Sequence, residues 1–153
     1  MKLSFRDVER EKEVQASELL PVGQLPLDTP DRPALAEPVP VTVKAEFQDG
    51  LVWAWVTARA RLTLSCARCL EPFEITLEPA FEVRLTEESG DIVIDEEVRQ
   101  HILLGLPAQP LCAPSCRGLC PQCGGNRNKN RCGCTPGTKE NPFDVFKNLK
   151  LKS

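Results

Sequence analysis

The clearest pattern along the chain is a strict alternation of apolar and polar residues on either side of Asp49-Gly50. This dipeptide suits a two-residue type I′ turn, because both central residues must adopt positive φ. The turn sets the register of a hairpin, and in that register one face is wholly apolar and should lie on the core. The predicted apolar pairs are Phe47 with Val52, Ala45 with Ala54, Val43 with Val56, and Val41 with Ala58.

A second alternating run, PFEITLEPAFEVRLT, is interrupted by Pro79. A proline at this point predicts either an edge strand or two strands with a bend between them. The next stretch, DIVIDEEVRQHILLGLP, predicts a short strand and then a helix that Asp95 caps, with Val98 and Ile102 on one face. The pattern therefore predicts an α+β fold, mainly an antiparallel β-sheet covered by a short helix.

The ends of the chain are less regular. KLSF predicts a first strand and VEREKEVQASELL a short helix, whereas six prolines between Pro21 and Pro40 favour an extended connector. Near the other end, NPFDVFKNLKL predicts a short amphipathic helix. We expect three parts: residues 1–38 as N-terminal segment and connector, 39–110 as the sheet and helix body, and 111–153 as a basic cysteine-rich loop with that helix.

Composition bears on the compartment and the partner. A length of 153 residues suits one hydrophobic core. No apolar run approaches 18 residues, and the charged start MKLSFRDVEREKEV does not resemble a signal peptide. We therefore expect a cytoplasmic protein without a membrane partner. Residues 1–110 carry 11 Lys and Arg against 20 Asp and Glu, and residues 111–153 carry 8 against 2. The basic second part points to a polyanionic partner, or else to a solvated tail that complements the acidic body.

The eight cysteines form three spaced sets, C-x2-C, C-x3-C-x3-C-x2-C and C-x-C. In a reducing compartment, cysteines at such spacings indicate metal ligands rather than disulfides. Turns that contain Pro and Gly suit a zinc-ribbon-like loop with one or two Zn²⁺ ions. An iron–sulfur cluster, which also uses four thiolates, is the alternative. One partition joins the last four cysteines and leaves Cys66 and Cys69 to meet Cys112 and Cys116; another groups the four from Cys112 to Cys123. The predicted ligands are Cys66, Cys69, Cys112, Cys116, Cys120, Cys123, Cys132 and Cys134.

The sequence does not favour an enzyme. A closed four-thiolate site leaves no coordination position for a substrate. The single histidine, His101, falls on the predicted helix. The sequence contains no nucleophile elbow and no phosphate-binding loop. Two groups of residues could instead contact RNA through phosphates and exposed bases. The metal loop supplies Arg117, Arg127, Lys129 and Arg131, and the polar hairpin face supplies Lys44, Trp53, Trp55, Arg59 and Arg61.

Four segments of the chain, taken in their order, resemble the bacterial YceD family, the large ribosomal RNA subunit accumulation proteins. These segments are CARCLEPFEITL, HILLGLP, LCAPSCRGLCPQCGGNRNKNRCGC and NPFDVFKNLK. The resemblance implies a role in accumulation of 23S rRNA. It also places the family's cysteine motifs on the eight cysteines named above.

Together these observations predict a non-enzymatic ribosome-biogenesis factor that promotes accumulation or maturation of 23S rRNA. The expected partner is precursor 23S rRNA or a large-subunit assembly particle. The alternative is a zinc-containing adaptor that docks a ribosomal protein or an assembly factor, because the acidic body would attract a basic protein and repel RNA.

Overall fold

The structure is a computed structural model that describes residues 1–27 and 33–134. The C-terminal helix predicted in NPFDVFKNLKL lies outside the described residues. Described strands are β1 (Lys2–Ser4), β2 (Glu13–Leu20), β3 (Ala34–Leu35), β4 (Val39–Gln48), β5 (Leu51–Ala58), β6 (Ala60–Ser65), β7 (Pro72–Leu77), β8 (Ala80–Leu85) and β9 (Asp91–Val93). Described α-helices are α1 (Phe5–Glu11) and α2 (Ile94–Leu104), neither of which is long and apolar enough to cross a membrane.

The strands of the described residues form three antiparallel sheets. Their orders are β2-β4-β5-β8, β3-β6-β7 and β1-β9. Every strand pair is antiparallel. The α+β prediction of a mainly antiparallel fold with helices is confirmed, with α1 and α2 as the described α-helices.

The β4–β5 hairpin has the predicted register. Phe47 pairs with Val52, and the other three predicted pairs follow towards Val41 with Ala58. Asp49 and Gly50 have φ of 54° and 78°, as a type I′ turn requires.

A second, longer hairpin supports the cysteines. Strand β5 pairs with β8, and β6 pairs with β7, both antiparallel. The two pairs are separated by a break near Arg59 and Pro79 but keep one register, because Thr57 pairs with Ala80 before the break and Ala60 with Leu77 after it. The PFEITLEPAFEVRLT run forms two strands, and β7 and β8 are each an edge strand of their sheet, so both predicted features are present. The turn of this long hairpin, residues 66–71, carries the first C-x2-C motif.

The core lies between the apolar face of the sheets and the helices. Val43, Ala54, Val56 and Leu62 are buried on the strands, where alternation places them on one face. The helices contribute Phe5 and Val8 from α1 and Ile94, Val98 and Ile102 from α2. The predicted apolar face of α2 is therefore confirmed.

Three local predictions need correction or detail. The helix expected in VEREKEVQASELL ends at Glu11, because Lys12 has φ of 67° and residues 13–20 pair with β4 as β2. Asp95 does not cap α2, whose N-cap is Val93, but contacts the amino group of Met1. His101 is half-buried, and its ring stacks on Phe81 with centroids 3.7 Å apart.

Candidate metal centres

Four cysteines from two parts of the chain form the first cysteine group. Cys66 and Cys69 lie on the turn of the long hairpin, Cys112 and Cys116 follow α2, and the four sulfurs lie within 4.8 Å of one another. Sγ of Cys66 is 3.8 Å from that of Cys116, and Sγ of Cys69 is 3.7 Å from that of Cys112. Sulfurs bound tetrahedrally at about 2.3 Å from a zinc ion are about 3.8 Å apart. These spacings fit a four-thiolate metal site.

Cys120, Cys123, Cys132 and Cys134 form the second cysteine group, with their sulfurs also within 4.8 Å of one another. Of the two partitions that the sequence left open, the structure has the one that joins these four residues. Each group could hold one metal ion. The second is more open to solvent, because Cys123 and Cys134 are exposed, whereas three cysteines of the first group are buried.

The two C-x2-C motifs adopt the same tight turn. Leu70 N donates to Cys66 O, and Gly124 N donates to Cys120 O, both at 2.9 Å. In each motif the amide of the first cysteine donates to the carbonyl five residues further on, at 2.9 and 2.8 Å. Leu70 and Gly124 have φ of 61° and 70°. Turns of this kind bring both sulfurs of a motif to one side, where one ion can reach them.

Backbone amides favour the thiolate form of Cys66 in the first group and of Cys120 in the second, whereas the pKa of Cys112 and of Cys134 is raised to about 12. The pKa of the Cys66 thiol falls to about 6, chiefly through a hydrogen bond from the backbone of Cys112. The pKa of the Cys120 thiol also falls to about 6, chiefly through the backbone of Cys123. Because the thiolate is the form that binds metal, each group offers one ready ligand at neutral pH.

A close backbone contact joins the hairpin turn to the segment that follows Cys116. Leu119 N donates to Arg68 O at 3.0 Å, and the Arg68 guanidinium donates to Cys116 O at 3.0 Å. Gly118 has φ of 70°, and a Cβ at that position would lie 2.9 Å from Arg68 O. This approach requires glycine, both for the left-handed conformation and for the space.

The loop between Cys123 and Cys132 contacts the first cysteine group. Asn128 Nδ2 donates to Cys116 Sγ at 3.2 Å, and Asn128 Oδ1 accepts from Arg117 N at 2.8 Å. Both ends of this loop belong to the second cysteine group, so the loop links the two groups. Donors to ligand sulfurs orient and stabilise metal sites.

Glu71 holds the same loop from the hairpin side. Its Oε1 accepts from Lys129 Nζ at 2.7 Å and from Asn126 Nδ2 at 3.4 Å. The pKa of Glu71 is lowered from its usual value, first by the bond from Lys129 and then by that from Asn126. We name residues 66–71 and 111–134 together the metal lobe.

Few apolar residues stabilise the metal lobe. A buried cluster separate from the main core consists of Cys66, Cys69 and Cys116, against which Phe73 and Leu111 pack. Its buried members are all predicted metal ligands, so a bound metal ion would be a direct source of folding energy for this part.

The predicted RNA-contacting residues of the metal lobe differ in their partners. Arg117, Arg127 and Arg131 are exposed, and within residues 1–27 and 33–134 none of their side chains forms an ion pair. Lys129 is bound to Glu71. The lobe therefore presents three arginines with no carboxylate partner in the described chain.

On the polar hairpin face, each basic residue has a carboxylate partner. Lys44 Nζ is 2.7 Å from Glu46, Arg59 Nε is 3.4 Å from Glu78, and Arg61 Nε is 3.6 Å from Glu37. Trp53 is half-buried with the Arg84 guanidinium 4.3 Å from its ring centroid, and Trp55 is 41% exposed. The structure thus places the two predicted RNA-contacting groups on different elements, and the contact with RNA stays a prediction for both.

Sequence reasoning missed two residues of the metal lobe and the role of a third. Arg68 clamps the backbone of Cys116, and Glu71 holds the loop beyond Cys123. Asn128 donates to the sulfur of Cys116, a role that its position between basic residues does not indicate. The position of Arg68 inside the C-x2-C motif was the available signal, whereas the partners of Glu71 lie 55 and 58 residues away.

A family model described as "Large ribosomal RNA subunit accumulation protein YceD" matches residues 84–150. This part of the chain, somewhat less than half of it, is similar to the YceD family. The YceD match covers α2 and every cysteine of the metal lobe except Cys66 and Cys69.

Curated relatives match smaller parts of their own length. Uncharacterised proteins of Mycobacterium tuberculosis and Mycobacterium bovis are 36% identical over an 85-residue alignment that covers 44% of this chain and 41% of theirs. The Arabidopsis thaliana protein named "Large ribosomal RNA subunit accumulation protein YCED homolog 1, chloroplastic" is 30% identical over 63 residues, 41% of this chain and 20% of that protein. This chain therefore spans less than half the length of these relatives. No solved structure matches it.

Proposed function

We propose that this protein is a cytoplasmic, non-enzymatic ribosome-biogenesis factor that promotes accumulation or maturation of 23S rRNA. In this proposal the metal lobe contacts precursor 23S rRNA, free or in an early large-subunit particle. Each cysteine group holds one Zn²⁺ ion, which fixes the lobe and takes no part in chemistry, since four thiolates fill a tetrahedral site.

The observation that carries the proposal is the contrast between the arginines of the metal lobe and the basic residues of the hairpin face. Lys44, Arg59 and Arg61 each face a carboxylate. Arg117, Arg127 and Arg131 have no such partner in the described part of the chain, and residues 111–134 contain no acidic residue. Exposed arginines without internal partners are available to phosphate, which guanidinium groups bind in a bidentate manner.

The family name supports the biological setting. The matching model and the Arabidopsis relative are both named for accumulation of large ribosomal subunit RNA. A factor of that class must meet rRNA, an assembly particle or a protein bound to it. The arginines of the metal lobe favour the RNA.

The test compares two triple variants that remove the same charge. One is Arg117→Gln, Arg127→Gln and Arg131→Gln; its matched control is Lys44→Gln, Arg59→Gln and Arg61→Gln. Binding of zinc-loaded protein to a precursor 23S transcript is measured for both, together with zinc content. We expect the lobe variant to bind on the order of tenfold more weakly or worse, with zinc retained, and the control to bind like the wild type.

Two results would count against the proposal. Equal weakening by the two variants would indicate contact through general charge or through the tryptophan face. Loss of zinc from the lobe variant, with RNA binding otherwise intact, would mean that the arginines balance the negative charge of the thiolate sites.

A second candidate function is a zinc-containing adaptor that docks a ribosomal protein. The acidic body favours it, because residues 1–110 carry 20 acidic against 11 basic residues and would attract a basic protein. The adaptor predicts binding of a basic large-subunit protein that the lobe variant leaves unchanged.

A further inference from the structure

Leu70 occupies a backbone conformation that suits glycine. Its φ is 61°, and it is the residue that follows the second cysteine of its motif. In the second C-x2-C motif the matching residue is Gly124, with φ of 70° and the same hydrogen bond back to the first cysteine. The left-handed conformation is unfavourable for a residue with a Cβ. The turn itself therefore gives no reason for leucine.

The side chain of Leu70 also lies in an unfavourable environment. It is 66% exposed, and it belongs to neither buried cluster of the described residues. An exposed leucine is common on a protein surface. An exposed leucine in a strained turn, where glycine would relieve the strain, suggests a function for the side chain.

The turn that carries Leu70 is joined by hydrogen bonds to the basic segments of the metal lobe. Arg68 precedes it by two residues and is exposed, and the next residue, Glu71, holds Lys129 at 2.7 Å. Arg68 O accepts from Leu119 N, and Gly118 O accepts from Arg127 N at 2.9 Å. Leu70 thus projects from a hairpin turn whose backbone is tied to the segments that carry Arg117 and Arg127.

We propose that Leu70 packs on the face of an unpaired RNA base while the neighbouring arginines contact the phosphates. This inference rests on the proposed function and adds a specificity to it. Phosphate contacts alone treat paired and unpaired RNA alike, whereas the apolar face of a base is accessible only where the base is unstacked. Leu70 makes the metal lobe prefer loops and single strands.

Two variants distinguish the contribution of the Leu70 side chain to RNA binding from the effect of its backbone conformation. Leu70→Ala removes most of the side chain and keeps the Cβ; Leu70→Gly removes both the side chain and the strain. The control is Leu19→Ala, because Leu19 is also 66% exposed but lies on β2, in the four-stranded sheet. Affinity is measured for a precursor 23S transcript and for a fully paired RNA duplex, with zinc content and Tm for each variant.

We expect both Leu70 variants to bind the transcript about five- to tenfold more weakly, the effect of losing one apolar contact, and to bind the duplex like the wild type. Leu70→Gly should keep its zinc and have a Tm at or above that of the wild type. Leu19→Ala should leave the affinity for both RNAs unchanged.

The contrary results are distinct. If wild-type protein binds the transcript and both Leu70 variants bind it equally well, the inference fails and the proposed function stands. A lower Tm or loss of zinc in Leu70→Gly would show that Leu70 is structural and would overturn the inference. If the wild type binds no RNA but binds a basic ribosomal protein through Leu70, both the inference and the proposed function fail.

Discussion

The side-chain amide of Asn128 lies 3.2 Å from Sγ of Cys116, so a residue in the loop of the second cysteine group donates to a ligand of the first. The loop that carries Asn128 begins after Cys123 and ends at Cys132, both of which belong to the second group. A metal ion at the second group fixes both ends of that loop and thereby holds Asn128 against Cys116. The two metal sites should bind cooperatively.

Removal of the Asn128 amide should weaken the first metal site. Asn128→Ala loses the donor to Cys116 Sγ, and loss of such an outer contact costs about 10- to 100-fold in metal affinity. We expect one of the two zinc ions to pass to a competing chelator faster than in the wild type. The measurement is zinc release followed with a coloured chelator.

Asn130→Ala is the matched control, because Asn130 lies in the same loop and is exposed. It should release zinc like the wild type. The cooperative account also predicts that Cys132→Ser with Cys134→Ser weakens zinc binding by the intact first group. If that double variant holds its remaining zinc as tightly as the wild type does, the sites are independent.

A methyl group at Gly118 should separate the hairpin turn from the segment beyond Cys116. In Gly118→Ala the added Cβ meets Arg68 O at 2.9 Å, and alanine is also unfavourable at φ of 70°. We expect the metal lobe to lose about 1–3 kcal/mol of stability. The measurement is the chelator concentration that removes half of the zinc.

Gly124→Ala is the control that adds the backbone strain of alanine at positive φ without adding a short contact. Gly124 has the same φ of 70°, but a Cβ there has nothing within 4 Å. Gly124→Ala should therefore reduce the stability of the metal lobe less than Gly118→Ala does. Equal effects would mean that the short contact with Arg68 is of no consequence.

Zinc removal should unfold the metal lobe and leave the main core folded. The buried cluster of the lobe consists of cysteines, whereas the main core consists of apolar residues from the sheets and both α-helices. In hydrogen exchange, chelation should remove amide protection from residues 66–71 and 111–134 and keep it in β4 and β5. Loss of protection throughout the sheet would contradict this division.

The main core can be tested by itself with Ile102→Ala. Ile102 is fully buried on α2, and its truncation should cost about 2–5 kcal/mol with or without zinc. A cost that appears only in the zinc-loaded protein would mean that the core and the lobe fold as one unit.

Zinc binding should weaken as the pH falls, and most steeply below about pH 6. The folded pKa of Cys66 and of Cys120 is about 6, below the ordinary value of 9.0, because backbone amides stabilise the thiolates. The ready ligand of each group is present above that pH and is lost as the pH falls through it, since protons then compete with the metal. Titrations at pH 7.5 and pH 5 measure the effect, and equal affinities would contradict it.

The local pattern of the sequence was sufficient for the hairpin. Asp49-Gly50 together with the alternating apolar residues determined both the turn and the register of β4 and β5, because both depend on neighbouring residues. The same reasoning failed at residues 13–20, which pair with β4 from a distance of about 25 residues. Their strand structure comes from that pairing and from burial, which override local helix propensity.

The cysteines could be proposed as metal ligands from their spacing, but the choice between the two groupings could not be made from the sequence. Cys66 and Cys69 lie 43 or more residues before Cys112, and the fold of the long hairpin is what brings them together. The charges of the basic residues were visible in the sequence, whereas their partners were not. Pairing of Lys129 with Glu71, 58 residues apart, depends entirely on the folded lobe.

The central claim is that the arginines of the metal lobe contact precursor 23S rRNA, and the most direct test is the salt dependence of that binding. Zinc-loaded protein should bind a precursor 23S transcript with a slope of log affinity against log salt of about −2 to −3, as expected for three phosphate contacts. The variant with Arg117, Arg127 and Arg131 changed to Gln should lose most of that slope. A wild-type slope near zero, or the same slope in the variant, would contradict the account.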